Sequence, residues 1–102
     1  MTWWGVGYFF GGAFAANMLP HLIAGVSGRQ LQTPLASPPF QGLSPPKVNV
    51  GWGVANMVAA YSLLRFGQFD IGNWLHVAIW FAGFVLMALK CASGFEKLQR
   101  ER

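Results

Sequence analysis

Polar side chains recur at helical spacing on two stretches of the chain that are otherwise apolar. Asn17 and His21 are four residues apart, and Asn49 and Asn56 are seven apart with Gly53 between them. In a helix, each pair then lies on one face. At 1.5 Å per residue, Asn17 lies roughly 9 Å and Asn56 roughly 13 Å from the boundary shared by the two helices. We therefore expect the two faces to meet at a similar depth.

Two interpretations of this polar set are open. In the first, the set is a ligand-binding pocket that orients a mostly apolar molecule above a Pro-rich loop. In the second, the side chains only bond one helix to another, since such bonds between membrane helices contribute about 0.6–2 kcal/mol each. The sequence favours the second interpretation for Asn17, His21, Asn49 and Asn56.

The two histidines would suit axial ligation of a haem iron if they faced each other. Their expected depths argue against this. His21 follows Trp3 by 18 residues, which places it roughly 27 Å below the outer boundary, whereas His76 lies roughly 8 Å below it. One histidine could still bind a pigment or a haem iron, but a packing role is favoured, and the cofactor stays unassigned.

Groups that most membrane catalysts and ion carriers need are absent from the apolar stretches. No Asp or Glu lies in any predicted span, which argues against proton-coupled export and carboxylate-bridged metal sites. Cys91 is the only cysteine, and no CxxC or Cys/His spacing indicates a metal site. No nucleophile elbow, HExxH or Walker motif is present. The sequence therefore predicts no catalytic residue and no metal ligand, and it disfavours an enzyme.

The elements that carry these side chains are predicted to be membrane-spanning helices. Of 102 residues, 54% are hydrophobic and 10% are charged, whereas soluble domains carry about 25% charged residues. Three apolar stretches approach or exceed the roughly 20 residues that cross a bilayer. We predict an all-α fold, a three-helix bundle in a single transmembrane domain over 1–102. Its predicted parts are helices at about 3–26, 48–64 and 71–90, a Pro-rich loop at 27–47 and a basic tail at 91–102. We expect this tail to be a solvated extension of the third helix.

The connections constrain how the helices pack. Pro20 predicts a kink or an early stop of the first helix near Leu19, because proline removes an intrahelical hydrogen bond. Five prolines exclude a helix in the loop at 27–47, and its low charge favours an ordered structure over a disordered linker. The short turn at 65–72 predicts an antiparallel hairpin in which the second and third helices pack together.

The distribution of basic residues predicts an orientation. Six Lys and Arg residues lie on the side of the loop and the tail, and only Arg65 lies on the other side. Because cytoplasmic segments are enriched in these residues, we expect the loop and the C-terminus in the cytoplasm and the N-terminus outside. Trp3, Trp4 and Trp74 would then form an aromatic belt at the outer boundary. The six basic residues are Arg29, Lys47, Lys90, Lys97, Arg100 and Arg102.

Small residues offer faces for helix packing. Gly7 and Gly11 form a GxxxG motif, and Gly53 offers a similar face on the second helix. Three helices can hide polar and glycine faces only against further helices. We therefore expect a homo-oligomer or a larger complex within the lipid bilayer of an inner or plasma membrane, and no nucleic-acid partner.

Two functions compete at this point. The preferred hypothesis is a non-catalytic, self-associating or accessory subunit of a membrane complex. The alternative is a small membrane enzyme or carrier for a lipid-like ligand, with His21 as acid or base and Asn17, Asn49 and Asn56 as orienting groups. In a subunit, protein side chains should fill the polar set. In an enzyme or carrier, the polar set should line an accessible cavity.

Overall fold

The computed structural model describes residues 3–100, of which 73% are helical. Three helices form the molecule, and two strands of two residues each close the Pro-rich loop. The all-helical class predicted from the sequence is therefore confirmed, with this short strand pair as an addition. The elements are α1 Trp3–Val26, β1 Leu31–Gln32, β2 Leu43–Ser44, α2 Pro46–Phe66 and α3 Trp74–Arg100.

The central helix is α1, and both α2 and α3 pack on it. In contrast, α2 and α3 have almost no contact with each other. The two helices run antiparallel, as the short turn predicts, but the prediction that they pack together is wrong. The short connection at 67–73 joins the ends of α2 and α3, but the two helices do not pack along their length. Each of them packs instead against small residues of α1. This arrangement leaves a cleft between α2 and α3 with α1 as its floor.

Glycines bring the backbones of α1 and α3 into direct contact. A Cβ atom at Gly12 would overlap the carbonyl oxygen of Trp80, and one at Gly83 would overlap the carbonyl oxygen of Phe9. Within the described chain, Gly83 is also the only fully buried residue of α3. The contact between these helices therefore depends on the absence of two side chains.

The glycines predicted for helix packing all lie between α1 and α2. Gly7 faces a backbone carbonyl group of α2, and Gly11 lies against the side chain of Leu64. A Cβ atom at Gly53 would lie 3.0 Å from the backbone nitrogen of Leu22 on α1. These three glycines therefore contact helices of their own chain.

Two prolines are accommodated differently by the helices. Helix α1 spans Trp3–Val26, as predicted, and continues through Pro20. Of the two outcomes expected near Leu19, a kink or an early stop, the early stop therefore does not occur. Pro46 lies in the first turn of α2, where the N–H group that proline lacks would have had no helical partner. This position allows α2 to begin before Val48, the predicted start.

The third helix continues into the basic tail, which the sequence predicts to be a solvated extension of this helix. Helix α3 begins at Trp74 and continues to Arg100, so residues 91–100 of the tail are helical. The ring of Phe95 packs against His21, which keeps this part of α3 on the bundle. Arg102, the last of the basic residues counted for orientation, lies outside the described residues.

Two helices, α1 and α3, are long and apolar enough to cross a membrane. The most apolar windows of these helices have mean hydropathies of 1.4 and 1.8. Only 6% of the α3 window is buried, so most of its apolar side chains face outward. These two helices suggest a membrane location. The second helix, α2, does not reach the same hydropathy, and a third span is considered below as a proposal.

Candidate ligand-binding site

The four predicted site residues form two hydrogen-bonded pairs between α1 and α2. Asn17 Nδ2 donates to Asn56 Oδ1, and His21 Nδ1 bonds with Asn49 Oδ1, each at 2.9 Å. Three of the four are buried, and Asn17 is half-buried. The residues that the sequence places at similar depth thus meet at one interface.

The amide of Asn49 has a fixed orientation, because its nitrogen faces three backbone carbonyl oxygens. Nδ2 lies 3.2 Å from the oxygen of Leu31, 3.0 Å from that of Ser44 and 3.3 Å from that of Pro45. An oxygen in this position would repel all three, so Oδ1 is the atom that faces His21. Asn49 therefore attaches both strands of the loop to α2 and to α1.

This orientation sets the tautomer of His21. Since the Asn49 oxygen can only accept a hydrogen bond, His21 Nδ1 carries the hydrogen and donates it. In the neutral imidazole, Nε2 then keeps its lone pair. The rings of Trp52 and Phe95 make edge contacts with His21 at centroid separations of 6.5 and 5.8 Å. His21 is thus held by its neighbours and offers one acceptor at Nε2.

A second series of bonds lies one helical turn from the first on α1 and two turns from it on α2. Asn56 Nδ2 donates to the backbone oxygen of Trp52 at 2.8 Å, so Asn56 Oδ1 accepts from Asn17. The oxygen of Asn17 accepts in turn from the thiol of Cys91 on α3, with a sulfur to oxygen distance of 3.4 Å. These bonds connect all three helices at one level.

A cavity of about 310 Å³ lies where α1, α2, α3 and the Pro-rich loop meet. Asn17 and His21 line it from α1. The remaining lining residues are Gln32, Pro34, Phe40, Trp52, Met87, Lys90, Cys91, Gly94, Phe95 and Leu98. Aromatic and aliphatic walls with a few convergent polar groups are typical of sites for small amphipathic molecules.

Only two of the four predicted polar residues line this cavity. Asn17 and His21 line the cavity, whereas Asn49 and Asn56 do not. The amides of these two residues are occupied by bonds to backbone oxygens and to the α1 side chains. Asn49 and Asn56 therefore position the two residues that a bound molecule could touch.

The contribution of α3 was missed from the sequence. Met87, Cys91, Phe95 and Leu98 all line the cavity, and their spacing of three and four residues is that of one helix face. This periodicity is visible in the sequence. The basic residues after 90 indicate a solvated tail, and for that reason the sequence predicts no binding face on this part of α3. Lys90, counted only for orientation, also lines the cavity.

His76 belongs to a second cluster at the other end of α1. Its Nδ1 accepts a hydrogen bond from the backbone N–H of Asp70 at 3.0 Å, and its ring packs on Tyr8 at a centroid separation of 4.4 Å. The Tyr8 hydroxyl donates to the backbone oxygen of Gly67. Tyr8 and His21 are 13 residues apart on one helix, roughly 20 Å. The two histidines are therefore too far apart to bind one ligand atom together.

Within residues 3–100, no three His, Cys, Asp or Glu side chains come together as a possible metal site. No protein-family model, curated protein or solved structure matches the chain. The function therefore has to be inferred from the cavity and from the side chains around it.

Proposed function

We propose that this protein is a membrane protein that binds a lipid-like, amphipathic molecule in the cavity next to the Pro-rich loop. The proposal rests on one observation: His21 and Asn17, members of the bonded polar set, line a cavity with aromatic walls. No carboxylate lies among the lining residues, and the thiol of Cys91 donates to Asn17 and not to His21. This arrangement favours binding over catalysis.

We further propose that all three helices cross the membrane. Helix α2 has 21 residues and is roughly 32 Å long, against roughly 30 Å for the hydrocarbon core. Its low hydropathy is due in part to Asn49 and Asn56, whose amides are bonded within the protein and are buried. The exposed side chains of α2 include Val54, Met57 and Val58, which suit contact with lipid.

Filling the cavity tests ligand binding. Gly94 lines the cavity, and a Cβ atom there would meet no atom within 4 Å, so the side chain of Gly94→Trp starts in open space at the cavity wall. A Cβ atom at Gly51 on α2 is equally unobstructed, but Gly51 does not line the cavity. Gly51→Trp is therefore the matched control.

Each protein is incubated in detergent with an equimolar mixture of four oleoyl lipids, and the retained lipid is counted by native mass spectrometry. The lipids are phosphatidylglycerol, phosphatidylmethanol, phosphatidylcholine and monoolein. We expect the wild type and Gly51→Trp to retain lipid and Gly94→Trp to lose most of it. Equal retention by Gly94→Trp and the wild type would contradict the proposal.

A second proposal is that the chain is a non-catalytic, self-associating or accessory subunit. It is supported by the outer face of α3, where Phe81, Val85 and Leu86 are 54%, 50% and 58% exposed. Such a face is available to another helix as well as to lipid. The wild-type spectra also report the number of chains in each particle. Particles of two or more chains would support self-association, and single chains at every detergent concentration would count against it.

A further inference from the structure

Lys90 lies on the cavity wall at the same level as the polar residues of α1. Cys91 bonds with Asn17, and Phe95 packs on His21, so α1 and α3 run parallel with their residues in register. After Lys90, α3 continues for ten more residues to Arg100, roughly 15 Å. These last residues include Glu96, Lys97 and Arg100, so the hydrocarbon core ends before them. Lys90 is exposed and follows Trp74 by 16 residues, roughly 24 Å, so in a spanning helix that starts at Trp74 it would lie close to the inner boundary of a core of roughly 30 Å.

No carboxylate of the described chain pairs with Lys90. Within residues 3–100 the only ion pair joins Glu96 to Arg100, and Asp70 lies at the opposite end of the molecule, near His76. The cavity itself has no acidic lining residue. A cation near the headgroup boundary without a protein counter-ion is available to pair with the phosphate of an anionic lipid.

On the α1 side of the same cavity, a ligand has to donate a hydrogen bond. His21 Nδ1 is bound to Asn49, so Nε2 is the nitrogen left for a ligand, and its lone pair can only accept. A hydroxyl group satisfies this requirement, whereas an anion does not. The cavity therefore combines a cation on α3 with a fixed acceptor on α1.

We propose that the cavity binds an anionic lipid with a hydroxylated headgroup, a phosphoglycerol lipid. Its phosphate pairs with Lys90, and a headgroup hydroxyl donates to His21 Nε2. The acyl chains leave through the cleft between α2 and α3, which do not pack together. This inference rests on the proposed ligand binding and names the chemical class of the ligand.

The four lipids described above separate the two headgroup requirements. Phosphatidylglycerol has both the net negative charge and the hydroxyl groups, phosphatidylmethanol has only the charge, monoolein has only hydroxyls, and phosphatidylcholine has neither. We expect the wild type to retain phosphatidylglycerol about tenfold more than phosphatidylcholine, with the other two between them. Free glycerol phosphate, which has no acyl chain, should not displace it.

Two variants assign the requirements to residues. Lys90→Gln should remove the preference for phosphatidylglycerol over monoolein, and Lys97→Gln, on the same helix but outside the cavity, should leave it unchanged. His21→Phe should remove the preference for phosphatidylglycerol over phosphatidylmethanol. If this variant does not fold, the wild-type comparison of those two lipids still tests the hydroxyl requirement.

The possible failures can be told apart. If the wild type retains all four lipids equally and Gly94→Trp still loses them, the ligand class is wrong but the cavity binds lipid. If Gly94→Trp retains lipid as the wild type does, the proposed function itself is wrong. Displacement by glycerol phosphate would show that the headgroup alone is the ligand and would overturn the assignment to a lipid.

Discussion

Asn49 holds three parts of the chain together through one side chain. Its nitrogen bonds the backbones of Leu31 and Ser44, which belong to the two strands of the loop, and its oxygen bonds His21 on α1. The residue is 0% exposed. Within the described residues, no buried side-chain nitrogen or oxygen lacks a partner, so the cost of burying this amide is offset by its bonds.

Replacing Asn49 by aspartate separates bonding from packing. The change keeps the shape of the side chain but directs an oxygen at three carbonyl oxygens. We expect Asn49→Asp to lower the free energy of unfolding by about 1–3 kcal/mol, measured by denaturation in detergent. At Asn73 the side-chain oxygen accepts from backbone N–H groups at the start of α3, which aspartate can also do. Asn73→Asp should therefore be neutral. If both variants unfold like the wild type, Asn49 contributes only volume.

At the scale of the helices, the position of α3 depends on a glycine contact. A Cβ atom at Gly83 would overlap the backbone oxygen of Phe9, so Gly83→Ala must push α3 away from α1. We expect a loss of about 1–3 kcal/mol in the free energy of unfolding. Gly94→Ala on the same helix meets no atom and should be neutral or stabilise by up to about 1 kcal/mol, because alanine favours helix. Equal effects of the two changes would show that the close crossing is not formed.

The helices were predictable from the sequence, but their packing order was not. Long apolar stretches indicate α1 and α3 directly, and the spacing of Asn17 and His21 indicated the polar face. A short turn fixes the distance between two helix ends and does not fix which helix lies in the middle. The strand pair was not foreseen, because two-residue strands have no periodicity to detect. The position of Lys90 on the cavity wall was not predicted, because a charged residue after an apolar stretch is typical of the start of a solvated tail.

At the scale of the whole molecule, the two ends differ in chemistry. Tyr8 contacts His76 at one end of the molecule, and His21 contacts Phe95 at the other end. Helices α1 and α3 therefore run parallel. Trp3, Trp4 and Trp74 therefore lie at one end, and they are 85%, 54% and 79% exposed. The opposite end holds the ends of the loop and of α3, with most of the basic residues. This asymmetry is the feature from which an orientation in a membrane is predicted.

The orientation can be measured with single cysteines in a Cys91→Ser background, which keeps a donor for Asn17. Ile71 lies in the turn between α2 and α3 and is 85% exposed, and Gln99 lies exposed near the end of α3. Because the basic residues gather at the end that holds Gln99, that end should face the cytoplasm. We expect Ile71→Cys to react with a membrane-impermeant maleimide in intact cells, and Gln99→Cys to react only after permeabilisation. Labelling of both after permeabilisation is the control for accessibility. The opposite pattern in intact cells would reverse the proposed orientation and place the cavity near the outer surface.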